Sequence, residues 1–594
     1  MQHRNRLALH VTFVAVVSVI LASCAPAQAP APAPAPARAA APAPAQPPPS
    51  SPPSAAPPTA APRAPAPAAT AIIPTPGPAV RATPAAPASS AGSPKRGGVF
   101  THASYTRSPD ADPHTNNAAL DAVLDLCYDT LMTVNPETRD IVPGLAESWE
   151  ASKDGLTYTF RLRKGVKFQD IAPVSGREFT ADDVVYSFER IRTPSPQFLR
   201  GSLFAKVSTI KALDKYTVEM KLTEPFGPLL TYVVNYSNKI VAKEAVAKFG
   251  NLKSRGDCIG TGPFTVKTWR EPFSGEMVRN ASYWDAGHTY LDGVRIQVIE
   301  DTITRMAALR AGQVDVAVRI PPSSYAAIKD QPTLTFDPEA VNWVSQILFN
   351  VNRKPWSDER VRKAAYLAID RDAVVKGAHE GAAFISGPLP PAVFKPWALQ
   401  PDELRKLPGY RQPKDQDMAE AKRLLTEAGY PNGFDAEAPV SEYSPISSRL
   451  GLEVAQGDLR KIGIRVSFKQ VEAAAFLQAD LTGNFDLINR GYGTGVEPEP
   501  DAMFSQLMAT GGSRNYLKLV DPKLNSMVAE GVRTLDTTKR IQIYKDLQLY
   551  VLDKAYRAFL DEPYTYTGKQ KFVRGYNGQW ILDNRQIAYV WLDK

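Results

Sequence analysis

Histidine and cysteine are scarce in this chain of 594 residues, which has six of the first and three of the second. After residue 24 the histidines are His102, His114, His288 and His379, and no two are close enough in sequence to suggest a local metal site. The chain also lacks a His-Glu-x-x-His zinc motif, a Gly-x-Ser-x-Gly nucleophile motif and a Gly-x4-Gly-Lys-Ser/Thr phosphate loop. We therefore expect no metal, no cofactor and no enzymatic activity. A secreted hydrolase that uses carboxylates distant in sequence is the alternative that this search leaves open.

Acidic residues and lysine are absent from residues 25–94, which hold 23 of the 53 prolines. A stretch of this composition cannot build a hydrophobic core and favours extended polyproline II, at about 3.1 Å per residue. The sequence therefore predicts a spacer, followed by a folded body that begins near residue 95.

The first 24 residues have the pattern of an export signal. Basic residues precede an apolar run from Leu7 to Leu21, which is too short for a permanent transmembrane helix of about 20 residues. Leu21-Ala22-Ser23-Cys24 then resembles a bacterial lipobox, whose cysteine is alkylated by a diacylglyceryl group. We predict a signal peptide over residues 1–23, lipid attachment at Cys24 and a spacer over residues 24–94, on a protein anchored outside the cytoplasm, in the periplasm or at the cell surface. An ordinary secretory signal with an incidental cysteine is the alternative.

The formal net charge of +8 comes largely from the N-terminal segment, because residues 1–94 carry five arginines and no acid. The remainder has 64 basic and 61 acidic residues, which is unlike the strongly basic surface of a nucleic-acid binder. Cys127 and Cys258 are the cysteines after Cys24. They suffice for one disulfide in an oxidising compartment, but the sequence leaves open whether they pair.

Local patterns in the body indicate both strands and helices. Alternation over Gly155–Phe168 predicts a half-buried hairpin that turns at Lys164-Gly165, and alternation over Val207–Leu222 predicts a second hairpin. Thr180 to Asp183 has the form of a capping box and predicts a helix that starts at Thr180. Five hundred residues also exceed what one hydrophobic core usually supports, so we expect two or three subdomains of mixed α/β structure.

Two further helices are predicted from their ends. Ser357 is placed to cap a helix that has acidic residues in its first turn. A helix over about Met418 to Ala428 is expected to end at Gly429, since glycine tolerates the left-handed conformation after a helix terminus.

Motifs spread over residues 95–594 occur in the order of a known family. They are Lys95–Gly98, Asp112–Pro113, Tyr128–Leu131, Pro143–Trp149, Arg177–Arg190, Gly260–Phe264, Arg279–Asn280, Tyr283–Trp284, Leu309–Asp315, Asn350, Arg360–Ala364 and Ala368–Arg371. In this order they resemble the family 5 extracellular solute-binding proteins, the oligopeptide- and dipeptide-binding components of ABC importers. Most of these motifs are expected to be scaffold, and Asp370 and Arg371 in particular to cap and brace a helix.

The resemblance implies an α/β, two-lobed periplasmic-binding-protein (Venus-flytrap) fold with an extra subdomain on the first lobe and a ligand cleft between the lobes. The first lobe would combine residues 95–112, 255–345 and 563–594. Residues 113–254 would form the extra subdomain, and residues 346–562 the second lobe.

Less regular segments are expected to line the cleft, and aromatic side chains and the Gly-Tyr-Gly-Thr-Gly loop stand out among them. The candidate ligand-binding residues are Tyr105, Trp343, Tyr443, Gly491, Tyr492, Thr494, Val496 and Glu497.

The glycine-rich loop departs from the pattern of peptide binders. Dipeptide-type members of the family carry an aspartate for the free α-amine of the peptide at the position that best matches Val496. Losing that charge-assisted contact is worth about 1.5–3 kcal/mol. Glu497 and Glu499 are the neighbouring carboxylates that could replace it.

The resemblance implies a monomeric receptor that delivers its solute to ABC permease subunits driven by a separate ATPase, with a lipid anchor in the membrane and no nucleic-acid partner. A peptide or peptide-like solute is the leading ligand class, and a sugar, an opine or a metal chelate is the alternative within the same role. A sensor subunit without a permease would share the fold.

Overall fold

The computed structural model describes residues 93–594 apart from short segments. Those outside the description are 106–111, 116–121, 136–139, 195–197, 199–200, 251, 253, 271–273, 341–342, 442–445, 494–498 and 579–583. Cys24 and the proline-rich segment up to residue 92 also lie outside the described residues. Within the part described, no helix combines the length and apolarity needed to cross a bilayer.

The strands are short and distributed along the whole described chain. In chain order they are β1 (Val99–Ser104), β2 (Met132–Val134), β3 (Ile141–Pro143), β4 (Ala146–Ala151), β5 (Thr157–Leu162), β6 (Val207–Asp214), β7 (Thr217–Leu222), β8 (Phe264–Arg270), β9 (Ser274–Arg279), β10 (Gly293–Val298), β11 (Val316–Ile320), β12 (Leu334–Ala340), β13 (Val344–Phe349), β14 (Ala383–Ile385), β15 (Phe434–Val440), β16 (Ile464–Gln470), β17 (Leu487–Tyr492), β18 (Arg557–Gln570), β19 (Val573–Arg574) and β20 (Trp591–Leu592).

Helices are concentrated in the second half of the chain. In chain order they are α1 (Ala122–Cys127), α2 (Ala181–Arg192), α3 (Leu229–Val233), α4 (Lys243–Phe249), α5 (Thr302–Arg310), α6 (Pro322–Ala326), α7 (Glu359–Ala368), α8 (Arg371–His379), α9 (Pro401–Leu404), α10 (Asp415–Glu427), α11 (Ile446–Lys461), α12 (Ala473–Thr482), α13 (Asp501–Ser505), α14 (Pro522–Arg533) and α15 (Thr537–Lys554).

Strand β18 joins two parts of the main sheet. Across the described residues the strand order of this sheet is β17-β13-β18-β11-β1-β10-β9-β8, and β12 and β14 also pair with β18. The first part of β18, up to Asp561, pairs with β13, and Asp561 to Pro563 pair with β14. From Tyr564 onward the same strand pairs with β12, and further along with β11. The hydrogen-bonding partners of β18 therefore change around Asp561–Tyr564.

A separate sheet, of order β4-β5-β7-β6 in the described residues, packs beside α2. Helix α2 begins after Thr180, and the side chain of Asp183 accepts a hydrogen bond from the backbone N–H of Thr180 at 3.0 Å, so the predicted helix start is confirmed. The β6–β7 hairpin is also confirmed. The hairpin expected within Gly155–Phe168 is wrong: the strand and its burial alternation are present, but β5 pairs with β4 and β7, while Lys167 bridges to Glu178.

The carboxylate of Asp129 connects three motifs that lie far apart in the sequence, Tyr128–Leu131, Gly260–Phe264 and Tyr283–Trp284. Asp129 is buried, and its carboxylate accepts hydrogen bonds from Thr261 Oγ1 at 2.9 Å and Trp284 Nε1 at 3.0 Å. Burial raises the pKa of Asp129, and these two donors oppose that shift.

Cys127, two residues before Asp129, forms a disulfide with Cys258, which settles the pairing that the sequence left open.

The predicted helix ends are largely as expected. Asp358 caps α7, where its side chain accepts the N–H of Arg360, so the expectation that Ser357 is the cap is wrong by one residue. Asp358, one position later, is the cap instead because its carboxylate accepts hydrogen bonds more strongly than a hydroxyl.

Gly429 follows α10 with φ of +92°, as predicted. Asp370 caps α8, and the guanidinium of Arg371 donates to backbone carbonyls, so the bracing role is confirmed.

Candidate functional site

Trp343 and Gly491 meet where β13 begins and β17 ends. The two strands pair with Ser345 opposite Gly491, and Trp343 precedes β13 by one residue. The half-buried indole of Trp343 lies directly on the backbone of Gly491, because a Cβ at position 491 would overlap ring atoms Cζ2 and Cε2. Glycine is therefore required at this position if the ring is to keep its place, and two of the predicted site residues lie in contact.

Tyr492, the next predicted residue, is buried and sits beside a cation. The guanidinium of Arg514 lies 5.4 Å from the centroid of its ring, a distance that allows a cation–π interaction. Burial raises the pKa of the Tyr492 hydroxyl. Because side chains alternate along a strand, Tyr492 lies on the opposite face of β17 from Gly491 and Trp343.

Tyr105 lies on a different part of the main sheet, at the end of β1, next to a buried ion pair. The guanidinium of Arg319 is 5.6 Å from the ring centroid of Tyr105, and its Nε is 2.8 Å from Oε1 of Glu339. Glu339 is fully buried, and it also accepts a hydrogen bond from Thr567 Oγ1 at 3.0 Å. Burial raises the pKa of Glu339, and the charge of Arg319 opposes that shift.

Arg319 adopts a backbone conformation that is uncommon for its residue type. Its φ is +58°, at the irregularity of β11 between Ala317 and Ile320. Strained non-glycine residues of this kind cluster at binding and active sites. The segment that carries Tyr105 and Arg319 is therefore a candidate for ligand contact as well as for packing.

Sequence reasoning missed Asp561, which occupies the point where β18 changes partners. Asp561 is fully buried and lies opposite Ser345 in the sheet register. Nε2 of His379 is 2.8 Å from its Oδ1, although the angle does not suit a hydrogen bond. The available signal was the pair Asp561-Glu562 after the apolar run Ala558–Leu560, since charges are rarely placed in a buried strand without a partner or a task.

Several predicted residues lie outside the described residues or are not brought together. Tyr443, Thr494, Val496 and Glu497 belong to segments 442–445 and 494–498. Glu499 is described, but it is not free to replace an aspartate at position 496: it is 1% exposed, and it accepts a hydrogen bond from Arg540 at 2.6 Å.

Replacing Gly491 by alanine is expected to lower the free energy of unfolding by about 1–3 kcal/mol, because the added methyl group forces Trp343 out of its position. Urea denaturation of the variant would measure this. Gly457→Ala is the matched control, since Gly457 lies within α11 with no neighbouring atom within 4 Å of an added Cβ. That variant should be neutral or gain up to about 1 kcal/mol of stability through helix propensity. In a Trp343→Ala background the cost of Gly491→Ala should largely disappear, and an equal cost in both backgrounds would contradict the packing argument.

Comparison with solved structures defines the class of protein. The chain is similar to the ABC transporter-associated periplasmic binding protein DppA from Helicobacter pylori, solved in complex with the peptide STSA, at 26% sequence identity and a TM-score of 0.66. The match covers 84% of this chain and 99% of the other. The fold is that of the two-lobed periplasmic binding proteins, as the resemblance implied.

Within that class, the family is also defined. Residues 140–515 match the model of the bacterial extracellular solute-binding proteins, family 5, so the chain belongs to this family. It is 29% identical over 485 residues to the dipeptide-binding protein of Escherichia coli. The alignment covers 78% of this chain and 88% of that protein. It is also 29% identical over 457 residues to heme-binding protein A of Haemophilus influenzae, covering 72% and 80%. These are binding proteins, which agrees with the expectation that the chain is not an enzyme.

Proposed function

We propose that the protein is a lipid-anchored receptor of an ABC importer that captures a peptide or peptide-like solute between its two lobes and delivers it to the permease. Membership of the family supports the receptor role, and the names of two of the relatives above support a peptide. The heme-binding relative is the observation that favours the second candidate, a non-peptide solute such as a metal chelate.

We further propose the division into lobes stated above, with residues 95–112, 255–345 and 563–594 in the first, residues 113–254 as its extra subdomain and residues 346–562 in the second. The change of partners along β18 at Asp561–Tyr564 supports a boundary there. On this division, the Tyr232 hydroxyl of the extra subdomain donates to Asp501 of the second lobe at 3.0 Å. The backbone N–H of Gly227 likewise donates to the carbonyl oxygen of Val532 at 2.7 Å. Contacts of this kind would form when the lobes close.

The observation that carries the proposal is a buried polar surface on the strands that join the proposed lobes. Among the described residues, Ser345 Oγ, Thr565 Oγ1 and Asp561 Oδ2 are buried without a hydrogen-bond partner, whereas Asp561 Oδ1 lies 2.8 Å from Nε2 of His379. Buried polar groups in folded proteins are nearly always paired, so unpaired groups that recur in one region call for a further partner. A bound solute supplies such a partner in a receptor of this family.

Native mass spectrometry of the full-length protein, extracted in detergent from its own cells, tests the function directly. A chemically intact solute in one-to-one ratio, released on denaturation, is the expected result, and its mass names the solute class. Turnover of a peptide or glycan by the same preparation, abolished by substitution of a single cleft carboxylate, would overturn the receptor proposal in favour of a hydrolase.

The lipid anchor is tested by Cys24→Ala. Acyl chains contribute about 0.8 kcal/mol for each buried methylene group, so two or three chains hold a protein at a bilayer. We expect the wild-type protein in the membrane fraction and the variant in the soluble extracytoplasmic fraction. A variant that stays in the membrane fraction as firmly as the wild type would contradict lipid attachment at Cys24.

A further inference from the structure

The proposed extra subdomain meets the proposed second lobe along a surface that lies outside the main sheet, which we call the interlobe surface. The residues in contact across it are Gly155, Glu224, Gly227 and Tyr232 on the subdomain side, and Asp501, Val532–Leu535 and Arg540 on the side of the second lobe. The second-lobe half is therefore built from α13 and from the turn between α14 and α15 with the start of α15.

The contacts across the interlobe surface are buried and packed. The Tyr232 hydroxyl donates to Asp501 at 3.0 Å, and these two residues are 3% and 7% exposed. Tyr236 of the extra subdomain belongs to the hydrophobic cluster built mainly from the second lobe. Val532 packs against that cluster and also against the cluster of the first lobe and its subdomain. Burial of this kind stabilises the state in which the two sides touch.

Gly227 permits the closest approach across this surface. Its N–H donates to the carbonyl oxygen of Val532 at 2.7 Å. A Cβ at position 227 would lie 2.7 Å from the carbonyl oxygen of Thr534 and 2.9 Å from Nε of Arg540. The φ of Gly227 is not positive, so glycine is needed here for the approach of the second lobe and not for the backbone conformation.

The side chain that faces Gly227 is held in place by the second lobe itself. Arg540 donates through Nη2 to Glu499 at 2.6 Å and through Nε to the carbonyl oxygen of Gly531 at 2.9 Å. Arg540 and Glu499 are 5% and 1% exposed. A methyl group added at Gly227 would therefore meet a fixed surface that cannot easily move aside.

We propose that the interlobe surface is a latch, which forms when the lobes close and slows the release of the solute between them. The proposal rests on the receptor function and the division into lobes proposed above, and it assigns Gly227 and Tyr232 as positioning residues for closure. A contact made only in the closed form raises the closed fraction, and the apparent affinity for a solute that binds that form rises with it. The extra subdomain would in this way control how long a solute stays bound.

Pulsed electron–electron spin resonance on the full-length protein in detergent tests closure directly. Nitroxide labels are placed by Leu213→Cys and Val520→Cys, at positions that are 56% and 71% exposed. Leu213 lies at the end of β6, and Val520 precedes α14, whose other end carries the latch turn. Cys127 and Cys258 are bonded to each other, and Cys24 carries the proposed lipid, so the new cysteines take the labels.

In the labelled protein, Gly227→Ala is expected to add a second population at longer distance to the distribution of the wild type. The same substitution should speed release of the co-purified solute roughly 10-fold or more, as native mass spectrometry follows during buffer exchange. Tyr232→Phe keeps the ring and removes one hydrogen bond, so we expect release to be about 3- to 10-fold faster. This second variant also serves if Gly227→Ala does not fold.

Gly287→Ala is the matched control, because an added Cβ there has no neighbouring atom within 4 Å and its φ is likewise not positive. It lies in the proposed first lobe, away from the interlobe surface, and should keep both the distance distribution and the release rate of the wild type.

An unchanged distance distribution in folded Gly227→Ala would overturn the latch and leave the receptor function intact. Faster release without a change in distance would also overturn it, because the residue would then act on the solute and not on closure. If no solute co-purifies, the receptor proposal fails, and the distance distributions of wild type and Gly227→Ala still decide whether the latch exists.

Discussion

Replacing both Cys127 and Cys258 by alanine is expected to lower the free energy of unfolding by about 3–5 kcal/mol. The disulfide joins positions 131 residues apart and closes a long loop in the unfolded chain. The chain-entropy model gives about 5 kcal/mol for a loop of this length, and measured losses are often smaller. Both sulfur atoms belong to buried residues, so alanine leaves small cavities but no unpaired polar group.

Urea denaturation of the full-length protein with and without the double substitution measures this effect. Cys24→Ala is the control, because it removes a cysteine and leaves the Cys127–Cys258 bond in place. An unchanged denaturation midpoint in the double variant would show that the bond does not constrain the unfolded chain as the loop length predicts.

Replacing Glu562 by glutamine is expected to stabilise the protein, and to do so more at high pH. Burial raises the pKa of Glu562 to about 8, and the nearby positive charge of Lys395 offsets only a small part of that shift. Its Oε2 accepts the N–H of Ala392 at 2.9 Å, a hydrogen bond that the glutamine oxygen can keep. The variant therefore removes the cost of burying a charge without removing the contact.

The direction of the pH dependence follows from proton binding. Between the ordinary pKa of 4.5 and about 8, the folded protein holds a proton on Glu562 that the unfolded chain has lost. The free energy of unfolding therefore falls as pH rises through this window, and the contribution stays constant above it. At pH 7 the difference is on the order of 3 kcal/mol, from 1.36 kcal/mol for each pH unit above 4.5.

Denaturation of wild type and Glu562→Gln at pH 4 and pH 8 separates this effect from packing. We expect nearly equal stability at pH 4 and a clear gain for the variant at pH 8. Glu437→Gln, on the exposed side of β15, should show no pH-dependent gain. A difference for Glu562→Gln of the same size at both pH values would assign the effect to packing.

Elements that depend on neighbours in sequence were predictable, whereas strand partners were not. The capping box at Thr180 and the β6–β7 hairpin are local, and both are present. The alternation in β5 correctly identified a half-buried strand. The turn at Gly165 does not bring Val166–Phe168 back beside β5, which pairs with β4 and β7 instead. The choice of partner depends on tertiary packing, which no local pattern records.

The candidate site was predictable in its aromatic and glycine residues but not in its charges. Trp343 and Gly491 were chosen separately for their residue types, and the pairing of β13 with β17 brings them into contact. Asp561 was missed because acidic residues are usually exposed. Only the register of β18 shows that it is buried opposite Ser345.

The position of β18 also determines when the chain can complete its fold during synthesis. Strands β11 to β14 have all been made before residue 557, yet each of them pairs with β18. Pairs that join residues far apart in sequence carry a high entropic cost and form slowly. Neither part of the main sheet is therefore complete until β18 has left the ribosome. A chain that stops before residue 557 would lack the strand with which β11, β12, β13 and β14 all pair.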